Sequence, residues 1–153
     1  MGQILEWNEL KEAVDTAKAA GKRVVFTNGC FDIIHIGHVR YLREARGLGD
    51  VLVVALNTDR SVSGIKPGRP LTPGAQRAEV VASLGVVDYV TMFGEDTPYE
   101  LIKLLKPDVL VKGGDWQREE IVGSDIVPDT RSLPYIRGIS TTEIIEKIRK
   151  LRV

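Results

Sequence analysis

A run of six consecutive apolar residues at 51–56, VLVVAL, constrains the fold more than any other segment. A strand with one solvated face alternates apolar and polar residues, whereas a strand covered on both faces is apolar throughout. The run therefore predicts a strand inside a parallel sheet that has helices on both faces. Further strands are predicted at 23–27, 89–93 and 108–112, with a short one at 126–127.

Segments with helical spacing of apolar residues separate these strands. The predicted helices cover about 8–20, 37–46, 75–84, 98–105 and 141–151. Strands that alternate with helices predict right-handed crossovers and a three-layer, doubly wound, Rossmann-like α/β sheet. We expect a single domain over residues 1–153, in which the helix at about 8–20 precedes the first strand. The stretch 61–74 holds three glycines and three prolines, and it is predicted to be a functional loop.

The charge balance limits the partners that this chain is expected to bind. Basic and acidic residues number 21 each, so the formal net charge is +0. Binders of nucleic acid and of membrane surfaces rely on a net basic face, and neither partner is therefore expected. Cys30 is the single cysteine, which fits a reducing compartment. The sequence shows no signal-peptide pattern and no membrane-spanning run, so we expect a soluble cytoplasmic protein.

Ligands of doubly wound sheets collect at the carboxyl ends of the strands, and distinctive residues follow the strands here. His35 and His38, the only two histidines, stand three apart at the start of a helix and can face the same side. Gly37 leaves room between them, and the free N–H groups of a helix start favour an anion. Capping histidines and a metal site are the alternatives. A metal is disfavoured because no third ligand is evident, and the shared turn favours phosphate binding.

Two further motifs follow strands or open helices. Ser140 and Glu143 have the spacing of a capping box at the start of the last helix, where the hydroxyls of 140–142 can also hold a phosphate. The segment 112–116, KGGDW, contains paired glycines that allow close approach of a ligand, although a simple glycine turn explains them equally well. Positive charge around the long loop comes from Lys66, Arg69 and Arg77.

Several of these motifs together resemble a known family. TNGCFD at 27–32 followed by HIGH at 35–38 resembles the signature of the cytidylyltransferase-like nucleotidyltransferases. The later segments resemble the adenylyltransferases of ADP-heptose synthesis, which in many bacteria are fused to a sugar kinase. These segments are PGRPLTP at 67–73, EDTP at 95–98, DVLVKGGDW at 108–116 and GISTTEIIEKIR at 138–149. We expect a free-standing form of that domain.

The resemblance implies a HIGH-type nucleotidyltransferase fold and an activity. AMP would pass from ATP, bound with Mg²⁺, to D-glycero-D-manno-heptose 1-phosphate, giving ADP-heptose and pyrophosphate. A homodimer is implied, and no metal ligand from the protein is expected. The residues implied as catalytic are His35, His38 and Lys66. Those implied to bind the nucleotide are Thr27, Asn28, Gly29, Phe31, Gly37, Gly113, Asp115, Ser140, Thr141 and Thr142. Those implied to bind the sugar phosphate are Asp32, Arg77, Lys112 and Trp116.

Three other functions are weighed against this one. A cytidylyltransferase for glycerol 3-phosphate or a similar phosphorylated alcohol commonly carries an arginine three residues before the glycine of its GIST segment, where this chain has Tyr135. Such enzymes also usually lack a lysine where Lys112 stands. An archaeal-type FAD synthetase matches the later motifs less well, and a non-catalytic sensor would have less need of intact catalytic groups. Asp32 is open between a metal and a substrate hydroxyl, and Cys30 is expected to be a packing residue.

Overall fold

The computed structural model, which describes residues 1–152, contains one six-stranded sheet in which every pairing is parallel. The strand order is β1-β4-β3-β2-β5-β6. From β2 the chain adds β3 and β4 on one side, and it then crosses back to add β5 and β6 on the other side. The topological switch point therefore lies between β2 and β5. The strands are β1 (Gln3–Ile4), β2 (Val24–Gly29), β3 (Val51–Asn57), β4 (Tyr89–Phe93), β5 (Val109–Gly113) and β6 (Asp129–Leu133).

Helices cover both faces of the sheet, as the sequence predicts. They are α1 (Trp7–Ala19), α2 (Ile36–Arg46), α3 (Asp59–Ile65), α4 (Gly74–Ala82), α5 (Tyr99–Leu105) and α6 (Thr141–Arg149). A single 3₁₀ turn lies at Arg118–Glu120. The helices α1 and α5 pack on one face, and α2 and α4 pack on the other. The three-layer, doubly wound α/β fold is therefore confirmed. Within residues 1–152, no helix has the length and apolar character needed to cross a bilayer.

The apolar run of β3 shows why helices cover both faces of the sheet. Its residues Val51, Val53 and Ala55 belong to the core under α1 and α5, while Leu52, Val54 and Leu56 belong to the core under α2 and α4. All seven residues of the strand are buried. Successive side chains of a strand point to opposite faces, so six apolar residues in a row supply two cores at once.

The structure corrects three sequence-based predictions of secondary structure. The last strand is Asp129–Leu133 rather than 126–127, which lies in a turn. This strand forms the sheet edge and buries only Thr130 and Leu133, so its sequence, DTRSL, lacks an apolar run. The predicted long loop at 61–74 begins inside a short helix, Asp59–Ile65, whose N-cap Thr58 accepts a hydrogen bond from the Ser61 amide. The short edge strand at Gln3–Ile4 was not predicted.

Aspartate carboxylates accept hydrogen bonds from backbone amides at the amino end of the sheet. The Asp108 carboxylate accepts a hydrogen bond from the Val24 amide, and the Asp88 carboxylate accepts one from the Leu52 amide, both at 2.8 Å. Asp88 also accepts one at 3.1 Å from Arg46 Nε. Val24 is the first residue of β2, and Leu52 precedes the pairing of β3 with β4, so the carboxylates satisfy donors that would otherwise be buried without a partner.

We expect Asp88→Ala to lower the free energy of unfolding by about 1–3 kcal/mol, since it leaves the buried Leu52 amide without its acceptor. Asp88→Asn retains an oxygen for that amide and should cost less. Urea unfolding of the two variants and the wild type checks this order. An unchanged midpoint for Asp88→Ala would contradict the assigned role.

Candidate active site

A cavity of about 620 Å³ opens at the carboxyl end of the sheet, beside the switch point. Asn28 and Gly29 at the end of β2, Asn57 at the end of β3 and Lys112 near the end of β5 line it. The first turns of α2 and α6 also line it. Two helix N-termini, with their free amides and positive dipole ends, therefore face one concave space.

Each of the two histidines accepts a hydrogen bond from a backbone amide at the start of α2. His35 is the N-cap, and its Nδ1 accepts a hydrogen bond of 3.1 Å from the Gly37 amide. His38 Nδ1 accepts one of 3.2 Å from the His35 amide. The ring centroids lie 3.9 Å apart. Capping and ligand binding are therefore compatible here, because the caps use only Nδ1. An Nδ1 that accepts is unprotonated, so each neutral ring carries its proton on Nε2.

The surroundings of the rings favour the neutral form. Burial, followed by the neighbouring charges of His35 and Lys66, lowers the pKa of His38 to about 4. Burial also lowers the pKa of His35, while the Glu143 carboxylate opposes this shift. Both rings are therefore neutral at neutral pH, and each offers one Nε2–H donor to a ligand in the cavity.

Positive charge in the cavity comes from lysine and arginine. Lys66, Lys112, Arg40 and Arg69 line it. Burial lowers the pKa of Lys112, whose Nζ lies 5.2 Å from the centroid of the Trp116 ring. Because two neutral imidazoles share the cavity with these cations, it suits an extended anion such as a polyphosphate.

The N-terminus of α6 is fixed by its own cap and by one contact to the loop before α2. Ser140 Oγ accepts a hydrogen bond of 3.1 Å from the Glu143 amide, as the predicted cap requires. Thr141 Oγ1 donates one of 3.1 Å to the Ile33 carbonyl. Ser140, Thr141 and Thr142 all line the cavity.

Arg77 makes four hydrogen bonds beneath the cavity and is only 1% exposed. Its guanidinium donates to the Thr72, Cys30 and Asn57 carbonyls at 3.0, 2.6 and 3.0 Å. The fourth bond, of 2.7 Å, goes to the Asp59 carboxylate. The side chain thereby joins the loop after β2, the end of β3, the start of α3 and the segment before α4.

Asp32 holds the neighbouring loop in a similar way. Its carboxylate accepts hydrogen bonds of 2.9–3.0 Å from the Leu71 and Thr72 amides, and the residue is 7% exposed. The segment fixed by these bonds follows Lys66 and Arg69, which line the cavity. Asp32 and Arg77 therefore set the position of the loop at 66–73, which carries Lys66 and Arg69.

Comparison with known proteins assigns the family. A model described as cytidylyltransferase-like matches residues 26–147. The chain belongs to the cytidylyltransferase-like family. This cytidylyltransferase-like chain is 52% identical over 147 residues to Bifunctional protein HldE of a Nitratiruptor species, covering 95% of the chain and 32% of that relative. It is 54% identical over 150 residues to Bifunctional protein HldE of Hahella chejuensis, covering 95% and 31%. The chain thus spans about a third of the length of these curated relatives.

A solved structure supports the same fold. The crystal structure of the lipopolysaccharide core biosynthesis protein from Thermoplasma volcanium matches with a TM-score of 0.63 and 28% sequence identity. The match covers 76% of this chain and 98% of that one. Together with the family match, this likeness assigns the doubly wound sheet to a cytidylyltransferase-like fold.

The structure brings most of the predicted site residues of this cytidylyltransferase-like chain to the cavity. Those that line it are Asn28, Gly29, Phe31, Asp32, His35, Gly37, His38, Lys66, Lys112, Gly113, Ser140, Thr141 and Thr142. It does not bring Thr27, Arg77, Asp115 or Trp116 there. Thr27 is fully buried, with its Oγ1 2.6 Å from the Tyr41 hydroxyl, and Trp116 Nε1 donates to the Gly113 carbonyl. The ligand contacts predicted for these four residues therefore stay predictions, since none of the four lines the cavity.

Sequence reasoning missed several residues that line the cavity. Arg40 and Tyr41 follow the HIGH motif in α2, Asn57 ends β3, and Asp96 follows β4. Asn57 and Asp96 stand at or just after the carboxyl ends of strands, so the sheet-edge rule applied to every strand would have found both. The helical residues required knowledge of which face of α2 turns towards the cavity.

The described residues contain no ready-made metal site. Within 1–152, no three His, Cys, Asp or Glu side chains cluster in a way that could hold a metal ion. Of the cavity carboxylates, Asp32 is already occupied by backbone amides.

We expect Arg77→Met to lower the free energy of unfolding by about 1–3 kcal/mol, because buried carbonyls of Cys30 and Asn57 lose their donor. Arg69→Met, in the loop between α3 and α4, changes a cavity-lining cation without a side-chain hydrogen bond among the described residues, and it should stay within about 0.5 kcal/mol of the wild type. Chemical denaturation checks both. Equal losses for the two variants would contradict the assignment.

The pKa of His38 predicts a pH dependence of stability. An unfolded chain protonates this imidazole near 6.5, whereas the folded chain protonates it near 4. As pH falls through this interval the unfolded state takes up the proton first, so the contribution of His38 to stability is present above 6.5 and is lost towards 4. In His38→Asn the unfolding midpoint should fall less steeply over this range. Parallel curves for variant and wild type would contradict the shift.

Proposed function

We propose that this chain is a nucleotidyltransferase that transfers AMP from ATP to D-glycero-D-manno-heptose 1-phosphate, releasing pyrophosphate. The observation that carries the proposal is the convergence of two neutral, helix-capping histidines with a second helix N-terminus and two lysines in one cavity. Such a site can bind a triphosphate and stabilise charge that develops on its leaving group.

The choice of activity rests on the relatives and on the sequence motifs. The matched portion of Bifunctional protein HldE in two bacteria is about half identical to this chain. The motifs at 67–73, 95–98, 108–116 and 138–149 resemble the adenylyltransferases of ADP-heptose synthesis. A structural neighbour described as a lipopolysaccharide core biosynthesis protein agrees with that setting. A cytoplasmic location follows from the proposed substrates.

The proposed reaction does not need a general base. An oxygen of the sugar 1-phosphate, ionised at neutral pH, attacks the α-phosphorus of ATP. The bond from that phosphorus to the bridging oxygen breaks, and the electron pair leaves with pyrophosphate. A His38 pKa of about 4 makes its imidazole a weak base but leaves it a hydrogen-bond donor. Catalysis would therefore come from alignment of the attacking oxygen with the α-phosphorus and from electrostatic stabilisation, as is usual in phosphoryl transfer.

The predicted catalytic and phosphate-binding side chains have the following roles in this scheme. His35 and His38 donate Nε2–H to the triphosphate, and Lys66 adds positive charge from its loop. Ser140, Thr141 and Thr142 contact the nucleotide phosphates, together with the amides of α6. Lys112 binds the sugar phosphate. Asp32 and Arg77, predicted as ligands of the sugar phosphate, instead act by positioning the loop that carries Lys66.

We propose Mg²⁺ as the accompanying cation. It would bind oxygens of the triphosphate rather than a cluster of protein carboxylates, in line with the ligand sets that Mg²⁺ prefers with nucleotides. When bound, the ion neutralises charge on the phosphates. The homodimer remains an expectation from the resemblance.

The activity is tested by pyrophosphate release in the presence of Mg²⁺, with ATP or CTP as donor and with both anomers of D-glycero-D-manno-heptose 1-phosphate as acceptors. Release with ATP and one heptose anomer is expected. Release only with CTP, or only with glycerol 3-phosphate, would instead assign the chain as a cytidylyltransferase. ATP binding without turnover of any pair would contradict an enzymatic role.

His38→Asn should lower kcat by about 10²–10³-fold, because asparagine lacks the Nε2 donor. Asparagine can still accept from the His35 amide through Oδ1, so stability at neutral pH should stay near that of the wild type. His38→Ala removes both functions and should lose activity and stability together. Steady-state kinetics and unfolding midpoints measured on the same samples separate the two effects, and full activity in His38→Asn would exclude the proposed donor role.

A further inference from the structure

Tyr135 presents an exposed aromatic ring to the cavity. It follows β6 in the connection to α6, and it lines the cavity. The residue is 74% exposed, whereas the other three tyrosines of the chain are partly buried. A ring that is exposed to this extent beside a concave site has a face available to a ligand.

The ring also packs against the paired glycines of the KGGDW segment. A Cβ atom placed on Gly113 would lie 3.0 Å from Tyr135 Cε1, and one placed on Gly114 would lie 3.2 Å from Tyr135 Cε2. Both distances are shorter than the contact of about 3.5–4.0 Å that carbon atoms prefer. A turn explains only Gly114, whose φ is +121°, because the φ of Gly113 is not in the left-handed region. The pair of glycines therefore allows the ring of Tyr135 to lie against the backbone.

This ring lies near the helix that carries the two histidines. A Cβ atom on Gly113 would also lie 3.3 Å from Tyr41 Cε2, so both tyrosine rings pack against Gly113. Tyr41 follows His38 by three residues on α2, which is a rise of about 4.5 Å along the helix. Tyr41, Gly113 and Tyr135 all line the cavity, and together they form its aromatic end.

The opposite end of the cavity has different chemistry. In the sheet, β3 and β4 lie on one side of β2, and β5 and β6 lie on the other. Asp96 and Thr97 follow β4, line the cavity and are exposed. Their carboxylate and hydroxyl suit the hydroxyl groups of a sugar, whereas an open aromatic face suits a flat ring. Of the two proposed substrates, only ATP contains an aromatic ring.

We propose, on the basis of the proposed nucleotidyltransferase function, that the base of the nucleotide stacks on the open face of Tyr135. The triphosphate would lie at the histidines and at the N-terminus of α6, and the ribose would span the turn of α2 between His38 and Tyr41. A purine offers a larger face than a pyrimidine, so stacking on this ring contributes to a preference for ATP over CTP. Tyr135 is thus a specificity-determining residue for the donor nucleotide.

Calorimetric titration with ATP, CTP and inorganic tripolyphosphate, each with Mg²⁺ and without an acceptor, tests the stacking. Tyr135→Ala should raise the dissociation constant of ATP about tenfold, which is typical for the loss of a stacked base. The dissociation constant of tripolyphosphate, which has no base, should stay unchanged. The ratio of the affinities for ATP and CTP should fall towards one. Tyr135→Phe retains the ring and should bind ATP within about twofold of the wild type.

Two further variants serve as controls. Tyr99 is a tyrosine outside the cavity lining, and its hydroxyl donates a hydrogen bond to Asp125, so Tyr99→Ala should leave all three dissociation constants unchanged. The methyl group added by Gly113→Ala should displace the ring of Tyr135 and weaken ATP binding. That loss should be smaller in the Tyr135→Ala background, because residues in contact act non-additively. Unfolding midpoints establish that the variants are folded.

The proposed base contact and the proposed reaction can fail separately, because these titrations contain no acceptor. A selective loss of ATP affinity in Tyr135→Ala supports the contact even if the protein does not turn over heptose 1-phosphate. Unchanged ATP affinity in Tyr135→Ala, or an equal loss of affinity for ATP and for tripolyphosphate, would overturn the contact even if turnover is observed.

Discussion

Burial of both faces of a parallel sheet is the constraint on which the rest of this structure depends. It requires a central strand such as β3 to be apolar throughout, and it requires helices on both faces of the sheet. The connections after β2 and β5 must then meet at the same sheet edge, next to the switch point. Polar residues excluded from the strands appear in these connections. The position of the cavity is therefore a consequence of how the sheet is covered.

The predictable part of the structure was the part governed by apolar burial. The strands at 51–57 and 89–93 and the helices on both faces follow from residues that must leave water. The strand β6 was misplaced because an edge strand needs little apolar sequence. The helix α3 was missed because its seven residues bury only Val62, and three glycines and three prolines in the predicted loop suggested irregular structure.

The candidate site divides in a similar way. Residues whose backbone and side chain both act at a helix start, such as His35 and Ser140, were identifiable because capping and anion binding demand the same local sequence. The function of Arg77 was not identifiable, because its partners are backbone carbonyls from segments far apart in the chain. A cation near phosphate-binding motifs suggests a ligand contact, and only the fold reveals that its hydrogen bonds are already used.

The junction at Arg77 has a consequence for how this sequence can diverge. Three of its four partners contribute only a main-chain oxygen, which any residue type provides, so the side chains of Cys30, Asn57 and Thr72 are free of this particular constraint. The guanidinium has no substitute, because lysine cannot direct several donors in a fixed plane. Among proteins descended from this sequence, this junction should therefore tolerate substitutions at Cys30, Asn57 and Thr72 but not at Arg77.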